Sequence, residues 1–340
     1  MSISSDPKIA VVGTGAIGGL LGSKFLSAGY SVTLLERGER LAALQRNGLT
    51  MLEAQGARIH HAKVSATDDF RAAGPHDLVI LAVKAHQVER VAPSLPDLFH
   101  EDTMVMTVQN GLPWWYFQGL AGPYEGLRLK TLDPTGAICD TIESRRLIGC
   151  VAYPAATVVE PGVVRHVEGD RFPLGELDGL ISSRCRLLES LFTSAGFRSR
   201  VLEDIRNEIW LKAWGSLSFN PLSALTRATM VDICRQPETR NLARDMMMES
   251  QAVAEKLGVK FRHTIERRLD GAEKVGAHKT SMLQDLESGQ KLELEALLGS
   301  VIELAHLTET KVPRLEAVYA CTKLLDSVVR EALRETATLP

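Results

Sequence analysis

The hexapeptide Gly13-Thr14-Gly15-Ala16-Ile17-Gly18 places glycine at its first, third and sixth positions, the spacing of a loop that cradles a pyrophosphate. Each glycine has a mechanical reason. Gly13 permits the tight turn, Gly15 lets the backbone approach the phosphates, and Gly18 lets the following helix pack closely on the preceding strand. A helix beginning here also offers unpaired N–H groups and the positive end of its dipole to an anion. The hexapeptide alone is weak evidence. Its weight comes from context: Lys8-Ile-Ala-Val-Val12 is a β-branched run before it, and Ile17, Leu20, Leu21 and Phe25 recur at helical spacing after it, as far as Gly29.

Cofactor choice in such a unit is made at the end of the second strand, where this chain has Glu36 and Arg37. An acidic side chain there accepts from the ribose 2′-hydroxyl of NAD, and an arginine pairs with the 2′-phosphate of NADP. The sequence offers both, so NADPH and NADH both stay open on this criterion. Two further polar residues stand at strand ends, Lys84 after Leu78–Val83 and Asn110 after Met104–Val108 and Gln109. Ligands of open α/β sheets bind beyond the carboxyl ends of strands, which is where these two side chains fall. Taken singly, a lysine after a strand is commonly a solvated terminus, and Asn-Gly is commonly a turn.

The elements that must position these residues divide the chain in two. Val32–Leu35 reads as a second strand, and further apolar runs without alternation, Leu78–Val83 and Met104–Val108, suit strands buried on both faces of a parallel sheet. From about Asp204 the texture becomes helical over 205–225, 238–257 and 292–307. The expected fold is therefore α/β, an N-terminal Rossmann-type dinucleotide-binding domain over 1–202 followed by an all-helical C-terminal domain over 203–340. The stretches 145–176 and 197–202 are expected to complete the sheet as antiparallel edge strands. Trp114, Trp115 and Tyr116 read equally as a pocket wall or as core packing.

With these residues in hand, the sequence resembles the ketopantoate (2-dehydropantoate) 2-reductase family over nearly its whole length. The resemblance implies that Gly13 to Gly18, Arg37, Lys84 and Asn110 contact NADPH, and it tilts the cofactor reading toward NADPH, with Glu36 keeping NADH open. Glu208-Ile-Trp210-Leu-Lys212 and Asn220-Pro221-Leu222 are similar to the family's helix that carries a catalytic lysine and a substrate-binding asparagine. Lys212, Ser216 and Asn220 then lie at i, i+4 and i+8 on one helical face. Ser281-Met282-Leu283-Gln284-Asp285 is similar to the family's serine motif, which binds the substrate carboxylate, and Glu293 falls where a family glutamate touches the cofactor. Taken one at a time, Lys212 would pass as a solvated helix lysine, Ser281 as an N-cap and Glu293 as an exposed charge; the ordered set outweighs those readings.

The implied chemistry is NADPH-dependent reduction of a 2-oxo acid to a 2-hydroxy acid. Lys212 would hydrogen-bond the carbonyl oxygen and protonate the alkoxide, with Ser216, Asn220 and Ser281 around the substrate. Domain closure would exclude water. Two positions depart from the pattern. Ser216 stands where the family has an asparagine, and Met230 is the nearest match to a later one. Residues 128–146 also run longer than in compact members. A bulkier 2-oxo acid or related carbonyl is the alternative substrate, another two-domain dehydrogenase such as one for 3-hydroxy acids is the enzymatic rival, and a non-catalytic dinucleotide sensor is the alternative of another class.

Bulk properties agree with a small-molecule enzyme. At 340 residues and 45% apolar composition the chain is long enough for two cores. A net charge of −3 offers no general attraction to nucleic acid or anionic membranes. No apolar run is long enough to span a bilayer, and Asp6 sits where a secretory signal would be cationic. Five widely spaced cysteines without a Cys-x-x-Cys pair suit a reducing cytoplasm, and the nine histidines form no ligand-spaced cluster, so no metal is expected. A long helical half commonly supplies a homodimer surface.

Overall fold

The structure is a computed structural model that describes residues 7–338; residues 1–6, read above for a leader, lie outside the described residues, as do 339–340. The chain divides into two compact units, Met1–Gln109 with Pro113–Glu208, and Asn110–Leu112 with Ile209–Pro340.

The first unit begins β1 (Ile9–Val12), α1 (Ala16–Ser27), β2 (Val32–Leu35), α2 (Gly38–Asn47), β3 (Leu49–Leu52), β4 (Arg58–His61) and β5 (Ser65–Thr67). It continues through α3 (Phe70–Ala73), β6 (Leu78–Leu81), α4 (Val88–Val91), β7 (Met104–Thr107) and α5 (Ala137–Thr141). Its last elements are β8 (Leu147–Cys150), β9 (Ala155–Glu160), β10 (Val163–Glu168), β11 (Leu174–Gly175) and α6 (Ser183–Ser194). Seven strands form the main sheet in the order β11-β8-β7-β6-β1-β2-β5. All its pairs are parallel except β11 with β8. The central runs Ile9–Val12, Leu78–Leu81 and Met104–Thr107 are buried at every position, which is why they read as unbroken apolar stretches.

The edge of this sheet differs from the sequence reading in its hand. β8 pairs with β7 in parallel, and only the two-residue β11 runs antiparallel. Residues 197–202 contribute isolated parallel bridges, Arg171 to Arg198 and Leu174 to Val201, rather than a strand. The rest of 145–176 belongs elsewhere, in a second sheet ordered β4-β3-β10-β9. Its strand β3 is buried over Leu49–Met51 while β4, β9 and β10 carry mostly intermediate and exposed residues, and β3 and β4 had no expectation attached to them.

Helix α1 packs on both sheets, and glycine makes that approach possible. A Cβ on Gly19 would come 2.6 Å from Val164 of β10, and one on Gly22 2.9 Å from Leu34 of β2. Phe25 of α1 meets Phe192 edge-on at 5.2 Å, and Phe172 meets Phe197 at 4.7 Å, closing an aromatic core. Trp114, Trp115 and Tyr116 are buried packing residues, with the Trp115 indole N–H donating to Thr107 Oγ1 at 3.0 Å. The long segment 128–146 carries α5, whose second and third N–H groups, from Ile138 and Cys139, are taken by the buried Asp133 carboxylate at 3.1 and 3.0 Å.

The second unit is helical. It contains most of α7 (Ile205–Thr226), then α8 (Met230–Arg235), α9 (Pro237–Lys256), α10 (Ile265–Val275), α11 (Ser281–Glu287), α12 (Ser300–Leu307) and α13 (Pro313–Thr338). The segment expected to be a helix over 292–307 begins at Leu294 and runs through a π-helical stretch, Glu295–Gly299, before α12. Trp214 anchors α7 to α9 by donating from its indole N–H to Met247 O at 2.8 Å, and its ring meets Phe261 at a tilt with centroids 4.4 Å apart. Among the described residues no helix is long and apolar enough to cross a membrane.

Candidate active site

In the first unit the glycine loop has the form that its spacing predicts. Gly13 takes φ +93°, and a Cβ there would lie 2.7 Å from Val83 Cγ1. One on Gly18 would fall 1.9 Å from the Gly13 carbonyl oxygen, so any side chain at Gly18 breaks the turn. Gly15 is different: nothing lies within 4 Å of its absent Cβ, and it is the N-cap of α1 with no side-chain cap. An uncapped helix start facing open space fits a phosphate, which would be held by the backbone from Thr14 to Ile17.

Glu36 and Arg37 divide at the end of β2. The Glu36 carboxylate turns back onto the loop, where Oε2 accepts from Thr14 N–H and from Thr14 Oγ1, both at 2.8 Å. Its Oε1 accepts from Arg37 N–H at 3.0 Å, and the side chain is only 10% exposed. Arg37 is exposed and serves as N-cap residue of α2. Lys84 follows β6 and opens the 3₁₀ turn Ala85–Gln87, its N–H donating to Gln87 Oε1 at 3.1 Å. Gln109 locks the neighbouring strand ends by donating to Leu81 O at 2.6 Å and Val83 O at 3.1 Å.

In the second unit the structure brings Asn110 to Lys212. The Lys212 ammonium donates to Asn110 Oδ1 at 2.5 Å, a charge-assisted contact. The reason lies in Gly111. Its φ is +84°, and a Cβ would come 2.1 Å from the Ala296 carbonyl, while Leu112 N–H donates to that same oxygen at 2.8 Å. The Asn-Gly turn is thus seated on the π-helical stretch Glu295–Gly299, a kind of irregularity that recurs at functional sites. Glu293 lies just before that stretch, partly covered, beside Leu292, whose N–H donates to Asp326 Oδ1 at 3.1 Å.

Further along α7, Asn220 is 8% exposed and donates to Ser281 Oγ at 3.3 Å. Ser281 is not the N-cap of α11. Thr280 takes that part by accepting from Leu283 N–H at 3.3 Å, which leaves the Ser281 hydroxyl to meet Asn220. Ser216 is partly covered on the same helix. Met230 opens α8, and its N–H donates to His278 O at 3.0 Å, so it is tied to the loop leading into Ser281. Sequence reasoning passed over Arg268 of α10, whose guanidinium lies against Gly215 of α7. The only signal was a glycine inside a helix. A thiol nucleophile is not on offer at Cys139 or Cys185, since burial pushes them up to about 12 and about 11.

Comparison with known proteins places the chain beside one family along nearly its whole length. Residues 9–179 match the family model Ketopantoate reductase PanE/ApbA, and residues 204–326 match Ketopantoate reductase PanE/ApbA C terminal. A 2-dehydropantoate 2-reductase of Mesorhizobium japonicum is 47% identical over 319 residues, covering 94% of this chain and 97% of that protein. A 2-dehydropantoate 2-reductase of Archaeoglobus fulgidus is 28% identical, over 87% of this chain and 90% of its own. Among solved structures, the 2-dehydropantoate 2-reductase of Geobacter metallireducens GS-15 superposes with a TM-score of 0.82 at 27% identity, covering 93% of this chain and 99% of that one.

Proposed function

The chain belongs to the ketopantoate reductase family, and on that premise we propose that it reduces 2-dehydropantoate, a 2-oxo acid, to the 2-hydroxy acid with NADPH. The observation that carries the reading is the contact of Lys212 with Asn110 on a helix that also presents Ser216 and Asn220. NADPH supplies the hydride when bound. The backbone of Gly13, Thr14, Gly15, Ala16, Ile17 and Gly18 would hold its pyrophosphate, Arg37 its 2′-phosphate, and Lys84 and Glu293 its nicotinamide half. Lys212 hydrogen-bonds the substrate carbonyl oxygen and gives up a proton as charge develops there, an electrostatic contribution greatest in the transition state. Asn110 orients the ammonium for that transfer. Asn220 and Ser281, already bonded to each other, orient the substrate. We assign residues 1–202 to nucleotide binding and 203–340 to substrate binding and proton donation.

A bulkier 2-oxo acid is the second reading, and the observation favouring it is the pair of departures, a small Ser216 and an apolar Met230 tied to the loop before Ser281. A homodimer in the cytoplasm is the setting we propose, supported by Leu324 and Val328 one turn apart on α13, 66% and 54% exposed. The test is NADPH oxidation by purified protein against 2-dehydropantoate and a panel of larger 2-oxo acids, repeated with Lys212→Ala. Turnover of 2-dehydropantoate that is lost in the variant is the expected result. Turnover of a bulkier acid alone replaces the substrate, and turnover that survives Lys212→Ala refutes the proton-donor assignment.

A further inference from the structure

Ser300 follows the π-helical stretch Glu295–Gly299, and its N–H donates to Glu295 O, five residues back. In an α-helix that N–H would go to Ala296 O, four residues back. The Ala296 carbonyl takes two other donors instead. One is the Ser300 hydroxyl at 2.9 Å, and the other, from outside the helix, is Leu112 N–H at 2.8 Å. Ala296 and Ser300 are both buried, where a carbonyl left without a donor is costly. The π turn is therefore what frees a helix carbonyl for the Asn110-Gly111-Leu112 turn, and that turn carries the Asn110 oxygen that accepts from Lys212. All of these residues belong to the second unit.

A π turn holds one residue more than the α turn it replaces, and it reverts when the chain on one side slips by a residue, a rotation of about 100°. Here both sides are pinned. Before the turn, Tyr319 of α13 donates to Glu295, its hydroxyl lying 3.0 and 2.9 Å from the two carboxylate oxygens. Lys323, one turn further along α13, donates to the Tyr319 hydroxyl at 2.7 Å and pairs with Glu295 at 3.2 Å. Burial holds the Tyr319 phenol above its ordinary 10, so it stays a donor. The same helix also grips Leu292, whose N–H donates to Asp326 Oδ1 at 3.1 Å. After the turn, the Ser300 hydroxyl fills the place on Ala296 O that a reverting helix would reclaim.

We infer that Ser300 and Tyr319 are positioning residues for Lys212, holding the π turn so that the Ala296 carbonyl seats Leu112 and thereby sets Asn110 on the ammonium. The inference rests on the assignment of Lys212 as the proton donor. Neither side chain has to touch substrate or cofactor, and each acts through Asn110.

Ser300→Ala and Tyr319→Phe are each made alone and together with Asn110→Ala. Single-turnover NADPH oxidation is followed at saturating 2-dehydropantoate, with melting temperatures alongside. Loss of one neutral hydrogen bond corresponds to roughly a 2- to 12-fold change. Ser300→Ala is expected to slow the step about fivefold or more, and Tyr319→Phe about two- to threefold, because Lys323 still reaches Glu295. Added to Asn110→Ala, neither change slows the step further, although each lowers the melting temperature as much as it does alone. A merely structural role would slow the step equally with and without Asn110, and that outcome, or an unchanged rate in either single variant, overturns the inference. A second measurement needs no turnover. The side-chain amide signal of Asn110, identified in the NMR spectrum of asparagine-labelled protein by its loss in Asn110→Ala, is compared among wild type, Lys212→Ala and Ser300→Ala. If wild-type protein turns over no 2-dehydropantoate, the substrate assignment fails and this signal alone decides. Displaced in Ser300→Ala toward its Lys212→Ala position, the positioning role stands, and otherwise it falls.

Discussion

Asn110 is the residue through which the position of Lys212 can be tested most directly. The Asn110→Ala variant removes the acceptor that holds the ammonium at 2.5 Å. The turn itself should survive, because its unusual φ belongs to Gly111 and its anchoring bond runs from Leu112 N–H to the Ala296 carbonyl. A hydrogen bond to a charged group contributes about 1.5–3 kcal/mol. If that energy serves to orient Lys212 for proton transfer, its loss lowers kcat roughly 10- to 150-fold. The assay is single-turnover and steady-state NADPH oxidation at saturating 2-dehydropantoate, for wild type, Asn110→Ala, Lys212→Ala and the double variant. A residue that acts through Lys212 should cost almost nothing once Lys212 is gone. Independent, multiplicative losses in the double variant, or an unchanged kcat in Asn110→Ala, would refute the reasoning and leave Asn110 as a cofactor contact alone.

Glu36→Gln removes one negative charge while leaving a side chain able to accept from Thr14. The ratio of NADH to NADPH dissociation constants, from titration of protein fluorescence, should move about tenfold in favour of NADPH, at a stability cost of about 1–3 kcal/mol. Arg206 is 7% exposed and donates to three carbonyls, Tyr116 O at 2.7 Å, Leu177 O at 2.5 Å and Gln118 O at 2.6 Å. Arg206→Met should destabilise by about 3–5 kcal/mol in urea unfolding without altering NADPH affinity, and a milder loss would mean that water replaces the guanidinium. His76 is 4% exposed, with Nδ1–H donating to Gly74 O at 2.8 Å and Nε2 accepting from Thr33 Oγ1 at 3.0 Å. Burial holds its pKa below the ordinary 6.5, so the folded state binds fewer protons than the unfolded chain as pH falls through that value. Its contribution is present above about pH 6.5 and lost below it; melting temperatures from pH 7.5 to 5.5 should fall, less steeply in His76→Asn.

How far the site was legible follows from how local each signal is. The glycine loop could be read from six residues, because the turn, the phosphate approach and the clash of any Gly18 side chain with the Gly13 carbonyl are all set within that loop and its adjoining strand and helix. The central strands could be read as apolar runs because both faces are covered. Strands β4, β9 and β10 are short and largely exposed and β3 has only four residues, so their pattern is weak, and pairing β10 beside β3 joins segments far apart in the chain. The direction of β8 could not be read either, since four residues carry no sign of whether their partner runs parallel.

Asn110 and Gly215 show the same limit at the site itself. Asn110-Gly111 announces a turn, and turn chemistry explains the φ of Gly111, yet nothing near it in sequence names Ala296 as the carbonyl beneath it or Lys212 as the group beside it. Those partners are chosen by how helices pack in the second unit. A glycine inside a helix likewise announces a reason without stating it. The penalty of about 1 kcal/mol against alanine is tolerated only where something must come close. Here the close group is a guanidinium, a cation laid one turn from the lysine proposed to meet the substrate carbonyl. Space for a side chain that itself arrives from another helix is the reason α7 carries a glycine here, and that reason exists only after packing.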